Sequence, residues 1–150
     1  MTRVIVKKQI RAPIDLVFKT ISDIKNLPKT VPEIEKVEFL SENQVGVGTR
    51  FRETRLNHGK ESVTDLEVTE YSENERVRMK ADSHGNVWDS IFNVEETGNS
   101  TQLTLTMDAH AHKVLPKILN PLMKGMYKKG LEKHVDAVKK FCETYFQTSE

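Results

Sequence analysis

Glu53 and Arg55 are the residues in this sequence whose types and spacing best suit them to chemistry. They stand two apart in a segment of strand composition, so alternation puts both on the face that carries Phe51. Side chains two apart on one strand face start about 7 Å apart at the backbone, close enough for a carboxylate and a guanidinium to meet. Turned into an apolar interior, each charge must be paired, wetted or bound to the polar group of a ligand. The pair therefore reads as a polar anchor in an apolar pocket, or as a solvated ion pair at its mouth or on the outer face. A register shift of one residue would turn both outward.

Apolar residues are spaced to wall such a pocket. Trp88, Ser90 and Phe92 share one strand face, Leu103, Leu105 and Met107 share another, and Met79 lies on the strand that precedes them. On the C-terminal helical pattern, Leu119, Leu122 and Met126 recur at three- and four-residue spacing. Aromatic and thioether groups adapt to irregular apolar ligands, although the same pattern builds an ordinary core. Trp88 stands apart, because a buried indole N–H needs a polar partner and a ligand could supply it.

Other constellations offer less. Asp108, His110 and His112 share a strand face and could surround a metal, but that face opposes Leu103, Leu105 and Met107 and so points to solvent. No native metal is expected. His134 falls on the helical stripe, where it reads as a proton-transfer group or as a hydrogen-bonded core histidine. Gly46 and Gly48 form half of a dinucleotide fingerprint, yet Phe51 occupies the third glycine's place and no helix pattern follows, so no cofactor is expected. Neither a nucleophile elbow nor a phosphate-binding loop is present.

The elements that must position these residues follow from periodicity. Val4 to Arg11 reads as a first strand, and Ala12-Pro13 ends it. Pro13 opens a short helix to about Ser22, on which Val17, Phe18 and Ile21 form the apolar side. Asp23 to Pro32 reads as a second short helix or turn. Strands are then expected over Glu35 to Glu42, Thr49 to Leu56, Glu61 to Tyr71, Arg76 to Ser83, Asn86 to Glu95 and Thr101 to His110, separated by turns rich in Gly and Asn. From about Pro116 the period becomes 3.6. Leu119, Leu122, Met126, Leu131, His134, Val135, Val138, Phe141, Cys142 and Tyr145 define one long amphipathic helix, with Pro121 kinking it or marking where its regular part begins. Gly125 and Gly130 weaken it but would let a neighbour or ligand approach closely.

Composition narrows the function. One domain over residues 1–150 is expected, since no Pro/Gly/Ser-rich linker interrupts the 150 residues. With 23 Lys and Arg against 22 Asp and Glu, the net charge of +1 lacks the broad positive field of a nucleic-acid binder. The single cysteine, Cys142, makes no internal disulfide and fits a reducing, cytoplasmic setting. No integral membrane segment is expected. Lys124, Lys128, Lys129, Lys133, Lys139 and Lys140 form a basic helix face that solvates the helix and leaves transient contact with an anionic membrane surface open, as oligomeric state is also open.

Four segments in order carry a family resemblance: Ile10-Arg11-Ala12-Pro13 with Val17-Phe18 and Asp23-Ile24, Gly48-Thr49-Arg50-Phe51-Arg52-Glu53, Val68 to Arg76, and Thr101-Gln102-Leu103-Thr104-Leu105-Thr106. Together they resemble the START-like (SRPBCC) superfamily of polyketide cyclase/dehydrase and lipid-transport type. The resemblance implies an α+β helix-grip fold, a seven-stranded antiparallel sheet wrapped around the C-terminal helix with a ligand cavity between. It does not imply one activity. The reading it supports is binding or transport of a small hydrophobic molecule, such as a lipid, isoprenoid, quinone or polyketide-like aromatic. The alternative is a cyclase or dehydratase in which Glu53 and His134 shuttle protons. A third is a protein-docking module.

Overall fold

In a computed structural model that describes residues 1–149, strand β1 (Thr2–Ile10) leads into helix α1 (Ile14–Ser22), a 3-10 turn (Ile24–Asn26) and the single-turn helix α2 (Leu27–Thr30). Six strands follow: β2 (Ile34–Phe39), β3 (Arg50–Asn57), β4 (Lys60–Ser72), β5 (Arg76–Ser83), β6 (Asn86–Thr97) and β7 (Ser100–Ala111). Helix α3 (Val114–Ser149) follows them. All neighbouring strands are antiparallel, in the order β1-β7-β6-β5-β4-β3-β2. The expected elements are all present, with ends shifted by a few residues.

Turn chemistry explains the meander. His58-Gly59 and His84-Gly85 each place two successive residues at positive φ, the backbone of a tight two-residue hairpin that matches strand twist. Gly46 and Gly48 also take positive φ in the loop before β3, which confirms a turn leading into a strand. Pro13 sits in extended backbone just before α1, where its missing N–H costs no helical bond.

Alternation sets the two faces. Val4, Val6 and Ile10 of β1 and Leu103, Leu105 and Met107 of β7 are buried on the inner face, with Val4 opposite Met107 and Val6 opposite Leu105. Helix α3 lies closest to β1 and next to β7, which it meets with Val135, Val138 and Cys142, all fully buried. Helix α1 adds Val17, Phe18 and Ile21 to the same core. Burial falls away towards the far strands: on β4, Thr64 and Leu66 are only half-buried, although they pair with the inward Glu53 and Phe51.

The long helix differs from expectation in three ways. It starts at Val114, with Pro121 inside it, so the Lys117 carbonyl there loses its helical donor. Nothing lies within 4 Å of a Cβ built on Gly125 or Gly130, so no part of the protein outside the helix packs closely on either glycine. Only from Leu131 to Cys142 does the apolar stripe turn inward, and Tyr145 beyond it is exposed. Leu122 is 78% exposed and Met126 58%, on the side away from the sheet. Both leave the set of interior residues because the helix phase that buries Asn120, His134, Val135 and Val138 turns positions 122 and 126 to solvent.

The start of α3 is pinned elsewhere. Gly85 in the β5–β6 turn accepts a hydrogen bond from the His112 N–H at 2.9 Å, and a Cβ on Gly85 would stand 2.9 Å from Pro116 Cγ.

Candidate functional site

On β3 the sequence Phe51-Arg52-Glu53-Thr54-Arg55 delivers its odd positions to the inner face. Phe51 is fully buried, Glu53 is buried and Arg55 is half-buried. Glu53 accepts from Arg55 Nε. Arg55 Nη2 reaches across to His134 Nδ1 on α3 at 3.1 Å, and Nη1 stands 3.5 Å from Glu33 Oε2. Lys133 Nζ closes the group 2.6 Å from Glu33 Oε1. Glu33 reaches it because β2 pairs Ile34 with Arg55, and the Leu56 N–H donates to the Glu33 carbonyl at 2.9 Å.

The cluster's electrostatics follow from this connectivity. A guanidinium only donates, so His134 Nδ1 accepts and the ring proton resides on Nε2. Burial, and then the Arg55 charge, push His134 down to about 3, so the imidazole is neutral at neutral pH. Two carboxylates face two cations, and the group as a whole is formally neutral. No group among the described residues accepts from Nε2 of His134, which is left as a hydrogen-bond donor beside the Phe92 ring, at a centroid distance of 5.7 Å.

The other inward residues are divided. Met79, Phe92, Leu105 and Met107 are buried; Trp88, Ser90 and Leu119 are half-buried. Trp88 already has its partner: its Nε1–H donates to the Ser83 carbonyl at 3.2 Å, so the indole needs no ligand. It also meets the Tyr127 ring edge-on at 5.1 Å. Tyr127 in turn donates to Asn120 Oδ1 at 2.8 Å, and Asn120 exchanges two hydrogen bonds with Asn86. This tie between the first half of α3 and β6 carries no sequence signal, because Asn86 lies in a turn-rich stretch and Asn120 precedes a proline.

Asp108, His110 and His112 do not converge. Asp108 is held by Arg3 through Nε and Nη2 at 2.7 and 2.9 Å, His110 is exposed, and His112 lies beyond β7 against Asp82 at 2.8 Å. Among the described residues no three potential ligands gather around a metal position. Asp108 stands opposite Asp89 on β6, and Arg78 binds Asp89 through the same two-pronged geometry. Those hydrogen bonds hold both carboxyls below the usual carboxylate range and explain why two acids can lie side by side under the outer face.

Surface depressions of about 520 and 490 Å³ lie on the outer sheet face around Arg50, Glu67 and Lys80, and between Phe18, Tyr71 and Tyr145. Neither includes Glu53, Arg55 or His134. At the cluster, the half-buried Thr64, Leu66 and Ser90 mark the side from which solvent reaches it.

Comparisons agree with this architecture. The family model for polyketide cyclase / dehydrase and lipid transport matches residues 1–140. No curated protein matches the chain by sequence. Among solved structures, a START superfamily protein from Mycobacterium smegmatis superposes with a TM-score of 0.80 at 18% identity, covering 97% of this chain and 99% of that one. The Zhui aromatase/cyclase from Streptomyces sp. R1128 gives 0.78 at 18%, with 94% and 93% covered. A point mutant of Thalictrum flavum norcoclaurine synthase, in complex with a transition-state analogue, gives 0.75 at 19%, with 95% and 94% covered. At such identities the likeness is one of fold.

Proposed function

The chain belongs to the polyketide cyclase / dehydrase and lipid transport family, and from that premise we propose that it binds a small, mainly apolar molecule between its sheet and α3 without converting it. The observation that carries this reading is the locked contact between Arg55 and His134. It supplies a neutral donor, Nε2–H, at the polar end of an apolar space. A carbonyl or hydroxyl oxygen on the ligand would satisfy that donor, as found in quinones, isoprenoid alcohols and polyketide-like aromatics. Because the cluster's charges already cancel, an uncharged head group fits better than a carboxylate or phosphate.

Catalysis is disfavoured by the same contacts. Glu53 is engaged by Arg55, and a histidine pushed down to about 3 is a weak base and carries no acidic imidazolium proton at neutral pH. Enclosure is enough for affinity: at about 25 cal/mol per Å² of apolar area, covering a small ligand offsets the cost of ordering it.

Native mass spectrometry of protein purified without denaturant, followed by solvent extraction, tests the proposal. A stoichiometric apolar passenger, returned unchanged and bound at least about tenfold more weakly by Arg55→Met, is the expected outcome. Turnover of the extracted compound that disappears in Glu53→Gln would replace the binding role with the cyclase or dehydratase one.

A further inference from the structure

The first half of α3 has a surface unlike the rest of the molecule. Val114, Leu115, Ile118, Leu122 and Met126 are all exposed, and their spacing of one, three, four and four residues gathers them on one side of the helix. Asn120 and Tyr127, which bind Asn86 and Trp88, occupy the opposite side. Five large apolar groups in one stripe are more than scattered surface hydrophobics. Charge is concentrated in the same place. Between Ala109 and Leu131 there are five lysines, Lys113, Lys117, Lys124, Lys128 and Lys129, and no acidic residue, in a chain whose overall net charge is +1.

We propose that this face docks on an anionic lipid bilayer, with the stripe sunk into the headgroup boundary and the lysines against the lipid phosphates. Three considerations select that occupant. An apolar stripe with Lys117, Lys124 and Lys128 along one flank and Lys129 within it matches the two layers of an anionic membrane surface, hydrocarbon below and negative charge above. A second copy of the chain would bring the same lysine-rich surface against itself. Nucleic acid would satisfy the lysines and leave the apolar side chains in water. No helix among the described residues is long and apolar enough to cross a membrane, so the contact is interfacial. It does not depend on what the interior holds.

The test uses the full chain and vesicles of phosphatidylcholine alone or mixed with phosphatidylglycerol, read by flotation. Binding is expected to the mixed vesicles and not to phosphatidylcholine alone, and to weaken as salt rises from about 0.1 to 0.5 M. Lys124→Gln and Lys128→Gln should each weaken it about fivefold. The pair Leu122→Ser and Met126→Ser should abolish it with an unchanged melting temperature, since both positions are exposed. Failure to bind either vesicle, equal binding to both, or full binding by the serine pair would each overturn the proposal. So would a dimer in sedimentation equilibrium that the serine pair dissociates, which would assign the stripe to a second copy.

Discussion

Asn86 and Asn120 face each other as a reciprocal amide pair: Asn120 Nδ2 donates to Asn86 Oδ1 at 2.8 Å, and Asn86 Nδ2 returns a bond to Asn120 Oδ1 at 3.3 Å. Both side chains are buried. The pair joins the half of α3 that carries the exposed stripe to the strand that carries Trp88, whereas the other half rests on β1 and β7 through apolar packing. The front half is thus tied to the sheet through this amide pair, while the back half adds buried apolar area to its own hydrogen bonds with Arg55, Gln9 and Arg11.

Asn120→Ala is therefore expected to loosen only the front. It strands the Asn86 amide and the Tyr127 hydroxyl, a loss of about 1 to 3 kcal/mol. Hydrogen exchange should accelerate over residues 114–127 while Val135 to Cys142 keep their protection. Uniform acceleration along the whole helix would show that the halves are not separable.

Acid should destabilise the fold through His134 before it touches the outer-face carboxylates. Unfolded, the imidazole titrates near 6.5; folded, burial and Arg55 hold it down to about 3. Across that window the unfolded chain binds the extra proton, so stability is full above about pH 6.5 and falls on acidification by up to about 1.4 kcal/mol per pH unit. Arg55 and, through it, Glu53, Glu33 and Lys133 are the charged groups at the site. Asp65, Asp89, Asp108 and Glu143, held below the usual carboxylate range, begin to lose their contribution as pH falls through that range, so the interval from about pH 5.5 to 6.5 isolates the histidine. His134→Gln keeps an acceptor for Arg55 and does not titrate. Urea midpoints measured across that range should slope for the wild type and flatten in the variant.

Two glycines should respond oppositely to alanine. Gly130 is in open space in a helix interior, and Gly130→Ala is expected to stabilise by about 1 kcal/mol. Gly85 holds a φ of +81° and lies against Pro116, so Gly85→Ala combines left-handed strain of about 1 to 2 kcal/mol with displacement of the α3 start. Thermal melts of the two variants check both signs.

Cys142 is expected to be inert while the protein is folded. Burial pushes its thiol up to about 11, partly offset by its contact with Thr20 Oγ1 at 3.3 Å. The thiolate is the reactive form, so alkylation at neutral pH should proceed at the rate of unfolding. Modification faster than global opening would mean a local route to this part of the core.

Much of the molecule was legible because its signals are local. Period-two alternation marked seven strands, glycine and asparagine marked their turns, and proline marked the start of α1. The inward direction of Glu53 and Arg55 followed from the same alternation, given that Phe51 is core. Helix phase was harder to read. Leu122 and Met126 lie at helical spacing from the half-buried Leu119 like members of one stripe, but Leu119 stands at the margin of the side that buries Asn120, Val135 and Val138, and the next residues in that row fall outside it.

By itself, then, the sequence determined the order of elements and the alternating faces of each strand, and it placed one carboxylate within reach of one arginine, because these depend on neighbours within a few residues. Only the tertiary structure decided that Arg55 would also meet His134, 79 positions away, and Glu33, 22 positions away. It also decided that Asn120 would find Asn86 and that the front of α3 would show its apolar side to the outside. Each of these depends on how the sheet curls and where the helix rests on it, and that is set by the summed packing of the whole core and written in no single segment.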